Sequence, residues 1–220
     1  MRMRVKISLV TVAVFVLTQG RLENPYAAML TSGAAESDNY RSSRIMLKLQ
    51  IRDLLQRRSA LVTRFIVSEC ADLDDKGPLI QALLGAEEEF AQLVARYLGD
   101  DAGAGIERLS KERISYLVGL TNALRSGDEQ RRDKVLQRYQ ENTTKIVDIF
   151  INANPGWQKQ TLFDAFNTQT DSITRHVLAR TGSNWKEDLL LTNEDYDAVR
   201  NFSDMLSEGI IEQFPEKFKN

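Results

Sequence analysis

Cysteine, histidine and proline are scarce in this sequence, and each scarcity excludes a class of structure. The 220 residues contain one cysteine, one histidine and four prolines, and so few prolines favour helix. The single cysteine, Cys70, excludes an internal disulfide, and the single histidine, His176, excludes a zinc site built on two or three histidines. Ile173 stands three positions before His176, so the Glu-x-x-His motif of di-iron bundles is absent as well. We therefore predict neither a bound metal nor a cofactor.

Signatures of catalysis and of nucleic-acid binding are also missing. The glycine-rich segment Gly99–Gly105 lacks the lysine and the preceding strand of a phosphate-binding loop, and no Gly-x-Ser-x-Gly elbow occurs. Asp72-x-Asp74-x-Lys76 begins like a calcium loop, but lysine occupies the fifth position, where an oxygen ligand is required. The formal net charge is −2, without the basic patch that nucleic acid demands. These absences favour a non-enzymatic protein that does not bind nucleic acid.

The first twenty residues have the layout of a secretory signal peptide. Arg2, Arg4 and Lys6 form a basic start, and the eleven residues 7–17 (ISLVTVAVFVL) are uncharged and mostly apolar. A membrane-spanning helix needs about 20 residues, so a cleaved signal is favoured, and a retained N-terminal membrane anchor is the alternative. We expect an exported protein, located in the periplasm, in the cell envelope or outside the cell.

Apolar residues at three- and four-residue spacing dominate the rest of the chain and predict helices. The clearest stripe consists of Leu136, Tyr139, Thr143, Ile146 and Phe150. The predicted helices cover residues 42–69, 78–98, 106–125, 129–152 and 159–180, and Asn193 is expected to cap a last one. Because short loops make neighbouring helices antiparallel, the predicted fold class is all-α, an up-down antiparallel bundle of four principal helices plus extra helical segments.

This pattern divides the chain into three parts. A signal peptide covers residues 1–20, a flexible leader covers 21–40, and a single helical-bundle domain covers 41–218. Within the domain, the glycine-rich segment Gly99–Gly105 is expected to be a turn, and Gly85 is expected to kink or break the second helix. The last helix is expected to face the core with four side chains: Tyr196, Val199, Leu206 and Ile210.

Polar side chains on or beside the apolar stripes form a candidate site. The set comprises Arg58, Arg64, Arg113, Gln169, His176 and Asp204. A buried arginine costs several kcal/mol unless it is paired, and Asp204 is a candidate partner for one of the cations of this set. Two interpretations stay open: a structural polar network or side chains that reach the surface, and a pocket for a small anionic ligand between the helices. The run Glu87-Glu88-Glu89 is expected to be a solvated face near a helix start.

Five short segments occur in a characteristic order along the chain. They are Thr63-Arg64, Tyr97-Leu98-Gly99-Asp100, Ser126-Gly127-Asp128, Ala153-Asn154-Pro155-Gly156-Trp157 and the ending from Glu208 to Phe218. In this order they resemble a family of bacterial, mostly exported helical-bundle proteins, sometimes labelled glycosyltransferase or acetylglutamate kinase without a supporting motif. The resemblance spans about Leu49 to Phe218 and implies an all-helical extracytoplasmic protein of unknown activity.

Members of that family tend to carry inward-facing histidines, and the resemblance matches their positions to Ser59, Arg113 and Gln169. None of the three is histidine here, so the resemblance implies that any metal site of the family has been lost. A tryptophan that often precedes the Thr-Arg pair in the family is replaced by Val62.

Three functions stay open at this point. The first is an extracytoplasmic bundle that binds a partner protein or a small-molecule ligand. The second is an enzyme that uses the inner polar cluster, and the third is a membrane-tethered structural protein in which residues 1–20 remain attached. The first is favoured, because sets of residues for a nucleophile, a base or a metal are missing.

Overall fold

The computed structural model describes residues 25–218, and the surroundings of side chains from residue 43 onward. This part contains no strand and consists of seven helices: α1 (Pro25–Cys70), α2 (Lys76–Leu98), α3 (Asp100–Ser126), α4 (Glu129–Ala153), α5 (Lys159–Thr181), α6 (Trp185–Gln213) and a final 3-10 helix (Pro215–Phe218). The all-α fold class is thereby confirmed. No helix in the described part is long and apolar enough to cross a membrane. The predicted signal peptide lies outside the described residues.

The chain divides into two units, Met1–Ser37 and Asp38–Asn220, and the helical bundle with its core belongs to the second. There, α2 packs on α3, α3 on α4 and α5 on α6, and α5 also contacts α3 and α4. Only Gly99 separates α2 from α3, and two residues separate α3 from α4. Connections this short reverse the direction of the chain, so these neighbouring helices run antiparallel.

Residues next to the breaks fix the α3–α4 and α5–α6 connections. Gly127, with a φ of +68°, ends α3 in the left-handed conformation that glycine adopts without strain. Asp128 caps α4 by accepting a hydrogen bond from the backbone N–H of Arg131 at 2.9 Å. Asn184 caps α6 in the same way, accepting from the backbone N–H of Glu187 at 3.2 Å. Both connections are therefore specified by the local sequence.

The glycine-rich segment Gly99–Gly105 is mostly helical, contrary to the predicted turn. Gly99 alone makes the turn, with a φ of +100°, and α3 begins at Asp100 with acidic side chains in its first turn. Gly103 serves close packing instead, because a Cβ on it would lie 2.5 Å from the Cβ of Ala95 on α2. The small residues of this segment thus let α2 and α3 approach each other.

Three further features differ from the predicted boundaries. α6 begins at Trp185, not after Asn193, because its N-cap stands directly before Trp185. α1 begins at Pro25, inside the segment 21–40 that was expected to be a leader. α2 runs without interruption through Gly85, where a kink or break was expected. The helices therefore extend beyond their apolar stripes, through turns that are polar or contain glycine.

The apolar core falls into two clusters at different levels along the helices. The first includes Leu47, Ile51, Leu109, Phe150, Leu162 and Ile210. The second includes Phe65, Leu83, Ile114, Leu120, Ile173 and Val177. Arg58 on α1, Arg113 on α3 and Gln169 on α5 stand between the residues that their helices contribute to each cluster. The polar residues of the candidate site thus lie where the two clusters meet.

The inner face of α6 is rotated relative to the predicted stripe. Tyr196 is 56% exposed, whereas Leu206 and Ile210 are buried as predicted. The fully buried Leu191 and the half-buried Asp195, one position before Tyr196, continue this face at four-residue spacing. The predicted stripe was drawn through apolar residues alone and therefore passed over Asp195.

Candidate functional site

A cavity lies where the two apolar clusters meet. It has a volume of about 70 Å³, and side chains from all six α-helices line it. Most of the wall is apolar, and its charged and amide groups belong to Arg58, Glu87, Arg113, Gln169, His176 and Asp195. Since about 10–15 Å³ is enough for one water molecule, the cavity has room for several waters or for a small organic group.

Arg113 on α3 brings a buried charge to the cavity wall, with only 3% of its surface exposed. Its Nη1 donates hydrogen bonds to Thr143 Oγ1 at 3.0 Å and to Asn142 Oδ1 at 3.4 Å. Its Nη2 donates to Thr170 Oγ1 at 3.3 Å. All three acceptors are neutral, and no carboxylate among the side chains described between residues 43 and 218 forms an ion pair with Arg113.

Two aromatic rings flank the guanidinium of Arg113. Its Cζ lies 4.8 Å from the ring centroid of Tyr139 and 5.4 Å from that of Phe166, distances at which a ring face attracts a cation. The hydroxyl of Tyr139 donates to the backbone carbonyl of Arg113 at 3.2 Å, and burial raises the pKa of this phenol to about 12. Burial also lowers the pKa of Arg113 to about 10, which leaves the guanidinium charged at neutral pH.

The hydrogen bonds of Arg113 leave one edge of the guanidinium incompletely used. Nε is buried and has no hydrogen-bond partner among the described residues, and Nη2 donates only to Thr170 there. Nε–H and the neighbouring Nη2–H point in parallel and form an edge that binds a carboxylate through two hydrogen bonds. An oxyanion in the cavity would satisfy this edge.

Arg58 on α1 and Glu87 on α2 form an ion pair on the same wall. The Nε–H of Arg58 donates to Oε1 of Glu87, and the two side chains are 13% and 2% exposed. The expectation that the run of glutamates is solvated is therefore wrong for Glu87, although Glu88 and Glu89 are exposed. Glu87 turns inward because a cation on the neighbouring helix compensates its charge.

A chain of hydrogen bonds begins at the part of the wall formed by α5 and α6. Ser172 donates to Asp195 Oδ1, and Asp195 Oδ2 lies 3.0 Å from His176 Nε2. His176 Nδ1 lies 2.8 Å from Asp188 Oδ1, and Asp188 Oδ2 accepts from Arg180 Nη2 at 2.7 Å. The imidazole thus stands between two carboxylates, an arrangement that suits the protonated ring with its two donors.

The two carboxylates control the charge of His176. Desolvation by burial is the largest single influence on the pKa of His176 and lowers it. The hydrogen bonds to Asp195 and Asp188 and the negative charges of the two carboxylates together outweigh it, so the pKa is raised. Ser172 donates its hydroxyl hydrogen to Asp195 and not to the imidazole. Ser172 therefore lacks the histidine base that activates a nucleophile. The chain of hydrogen bonds from Ser172 to Arg180 instead fixes the positions of the charged side chains.

The structure brings four of the six predicted site residues to this cavity: Arg58, Arg113, Gln169 and His176. Arg64 lies instead on the outer face of α1, with its side chain 68% exposed and its Nη2 3.5 Å from a carboxylate oxygen of Asp75. Asp204 pairs with Arg52 at 2.6 Å and not with an arginine of the predicted set. Arg64 and Asp204 lie on predicted helices, but on helix faces that point away from the cavity.

Sequence reasoning missed three acidic residues of the site: Glu87, Asp188 and Asp195. Their spacing carried a signal, because Glu87 stands three residues before the buried Phe90. Asp188 stands three residues before the buried Leu191, and Asp195 stands four residues after it. A carboxylate on an apolar helix face can be predicted as buried only when its cationic partner, here on another helix, is known.

The described residues include no group of three or more histidine, cysteine, aspartate or glutamate side chains that could hold a metal ion. Cys70 is half-buried near the end of α1, and burial raises the pKa of its thiol. The thiol is therefore protonated at neutral pH and a poor nucleophile.

No protein-family model, curated protein or solved structure matches this chain. The resemblance to the exported helical-bundle family therefore stays a prediction. The three positions that it matches to inward-facing histidines, Ser59, Arg113 and Gln169, all line the cavity.

Proposed function

We propose that this protein is an exported helical bundle that binds a small organic carboxylate in its central cavity. The carboxylate accepts two hydrogen bonds from Nε and Nη2 of Arg113. One observation carries the proposal: Arg113, which lines the cavity and is 3% exposed, has no acidic partner among the described side chains, and its buried Nε–H has no hydrogen-bond partner among them.

The charges on this wall favour a ligand with one negative charge. Arg58 and Glu87 neutralise each other, and protonated His176 together with Arg180 balances Asp188 and Asp195. The guanidinium of Arg113 is therefore in excess. An uncompensated buried charge costs several kcal/mol, and the two aromatic rings with the three neutral acceptors offset only part of that cost. A bound carboxylate cancels the excess charge and satisfies the unused donor at Nε.

The wall suits a carboxylate better than a phosphate. A phosphate monoester carries a charge of about −1.5 to −2 at pH 7, which exceeds the excess charge of Arg113. A carboxylate carries one charge, and its two oxygens match the edge of a guanidinium. The apolar part of the wall, which includes Phe90, Phe150 and Phe166, accommodates the rest of such a ligand.

Export is proposed from the composition of the first twenty residues, which lie outside the described part of the chain. Cleavage places the bundle in the periplasm, the cell envelope or the medium, and a retained segment tethers it to the membrane. The intact mass of protein isolated from its own cell envelope separates the two forms. A mass without residues 1–20 supports the cleaved form, and the full mass supports the tethered form.

Butyrate, a short carboxylate, tests the binding site by calorimetry and by thermal unfolding. Butyrate is expected to raise the Tm of the wild-type protein with concentration, because a ligand that binds only the native state stabilises it. Arg113→Leu removes the guanidinium and is expected to abolish the shift. Arg52→Leu, the matched control, removes an arginine paired with Asp204 away from the cavity and is expected to keep the shift.

A third variant separates charge from geometry. Arg113→Lys keeps a positive charge but lacks the two-donor edge, so it is expected to bind butyrate more weakly than the wild-type protein. An equal response to butyrate in the wild-type protein and in folded Arg113→Leu contradicts the proposal. If wild-type protein shows no response and Arg113→Leu raises the Tm without ligand, Arg113 has a structural role alone.

A further inference from the structure

A second concave region adjoins the cavity on the outside of the bundle, between α1 and α6. This groove has a volume of about 410 Å³. Most of its lining surface is apolar and includes Ala60, Val67 and Tyr196, and its charged lining residues are Arg64 and Asp195. Tyr196 and Ala60 are exposed, and Val67 is half-buried. The groove is therefore open to solvent along one side.

The groove and the cavity share part of their walls. Ser59 and Thr63 on α1 and Asp195 and Val199 on α6 line both of them. All four side chains are half-buried, so they stand between the buried interior and the surface. These four side chains therefore separate the cavity from the groove between α1 and α6.

We infer that the carboxylate bound by this protein is a straight-chain fatty acid. Its carboxylate lies on the Arg113 edge, and its alkyl chain passes between Thr63 and Val199 into the groove. This inference rests on the function proposed for the cavity and adds the class of ligand and the place of its tail.

A single amphiphilic ligand accounts for both features of the site. A fatty acid has one negative charge at one end, which Arg113 requires, and an unbranched apolar chain at the other, which the groove accommodates. A helix of a partner protein in the groove would cover the apolar lining but would leave Nε of Arg113 unpaired. A short carboxylate would satisfy Nε but would leave the groove empty.

The dependence of Kd on the length of the alkyl chain tests this inference. Calorimetry with butyrate, hexanoate, octanoate and decanoate, each below its micelle concentration, is expected to show a decrease in Kd of about fourfold per buried methylene. The decrease should stop once the chain fills the groove. Decanol, which has the chain without the carboxylate, is expected to bind much more weakly than decanoate.

Blocking the groove tests where the chain lies. Ala60 lines the groove and not the cavity, and it is exposed, so a large side chain there does not disturb the core. Ala60→Trp is expected to flatten the dependence of Kd on chain length. Ala104→Trp, the matched control at an exposed position of α3, is expected to retain the wild-type dependence.

The outcomes separate this inference from the proposed function. If butyrate binds through Arg113 but Kd does not change with chain length, the fatty-acid inference is overturned and the carboxylate site stands. The same holds if Ala60→Trp and Ala104→Trp behave alike, or if decanol binds as tightly as decanoate. If no carboxylate binds the wild-type protein, both proposals fall.

Discussion

Neutralising Glu87 is the most direct test of the charge balance around the cavity. Glu87 is 1% exposed and accepts a hydrogen bond from Arg58, and its negative charge also stabilises the charged form of Arg113. Glu87→Gln keeps the size of the side chain and removes its charge. The variant therefore leaves Arg58 and Arg113 in the wall without an ion-pair partner among the described side chains.

The expected cost follows from the burial of the pair. Removing one partner of a buried ion pair costs about 3–5 kcal/mol. Because the Arg58 side chain is 13% exposed and keeps some contact with water, we expect the lower end, about 3 kcal/mol in the free energy of unfolding. Removing both charges in Arg58→Met/Glu87→Met is expected to be neutral or stabilising, since no buried charge is then left unpaired in this pair.

Urea unfolding at neutral pH, followed by circular dichroism, measures these differences. Glu88→Gln is the matched control, because Glu88 is the next residue of α2 and is exposed. It is expected to change the free energy of unfolding by no more than about 0.5 kcal/mol. If Glu87→Gln and Glu88→Gln unfold at the same urea concentration, Glu87 is not part of a buried ion pair, and the charge balance assigned to the cavity wall is refuted.

Two further predictions concern close packing and pH. Gly209→Ala is expected to destabilise the protein by about 1–3 kcal/mol, because its Cβ would lie 1.7 Å from Nε1 of Trp157. Gly85→Ala, in a helix with open space around it, is expected to stabilise by about 0.5–1 kcal/mol, and equal urea midpoints for the two variants would contradict the close approach. The pKa of His176 is raised in the folded state, so its contribution to stability is complete below the unfolded value of about 6.5 and is lost as the pH rises through the folded pKa. Urea midpoints between about pH 6 and pH 9 should therefore fall more steeply for the wild-type protein than for His176→Asn, and parallel curves would count against the bridge between the two carboxylates.

Local signals were sufficient for most helix boundaries. The predicted helix 129–152 agrees with α4 (Glu129–Ala153), because the Asp128 cap and the Tyr139 stripe both lie within the segment itself. The start of α3 was not predictable in this way. Gly103 was assigned to a turn because it is a glycine, but it lies within α3. A small residue is required there because α2 packs directly against it.

The candidate site was predictable only in part. Arg58, Arg113 and Gln169 interrupt apolar stripes, and such an interruption is visible in the sequence. The apolar pattern of one helix does not indicate which helix packs against it. Asp204 was therefore predicted as a partner for the polar cluster, although it pairs with Arg52. Glu87 looked solvated for the same reason.

The sequence by itself determined that the chain forms antiparallel helices and where most of them end, because periodicity, caps and glycines act over distances of a few residues. It also identified Arg58, Arg113, Gln169 and His176 as polar residues on inward faces. Tertiary structure alone decided that Arg58 pairs with Glu87, whereas Arg113 has no carboxylate partner among the described side chains. Pairing between helices depends on their relative rotation and approach, which are set by packing over the whole core.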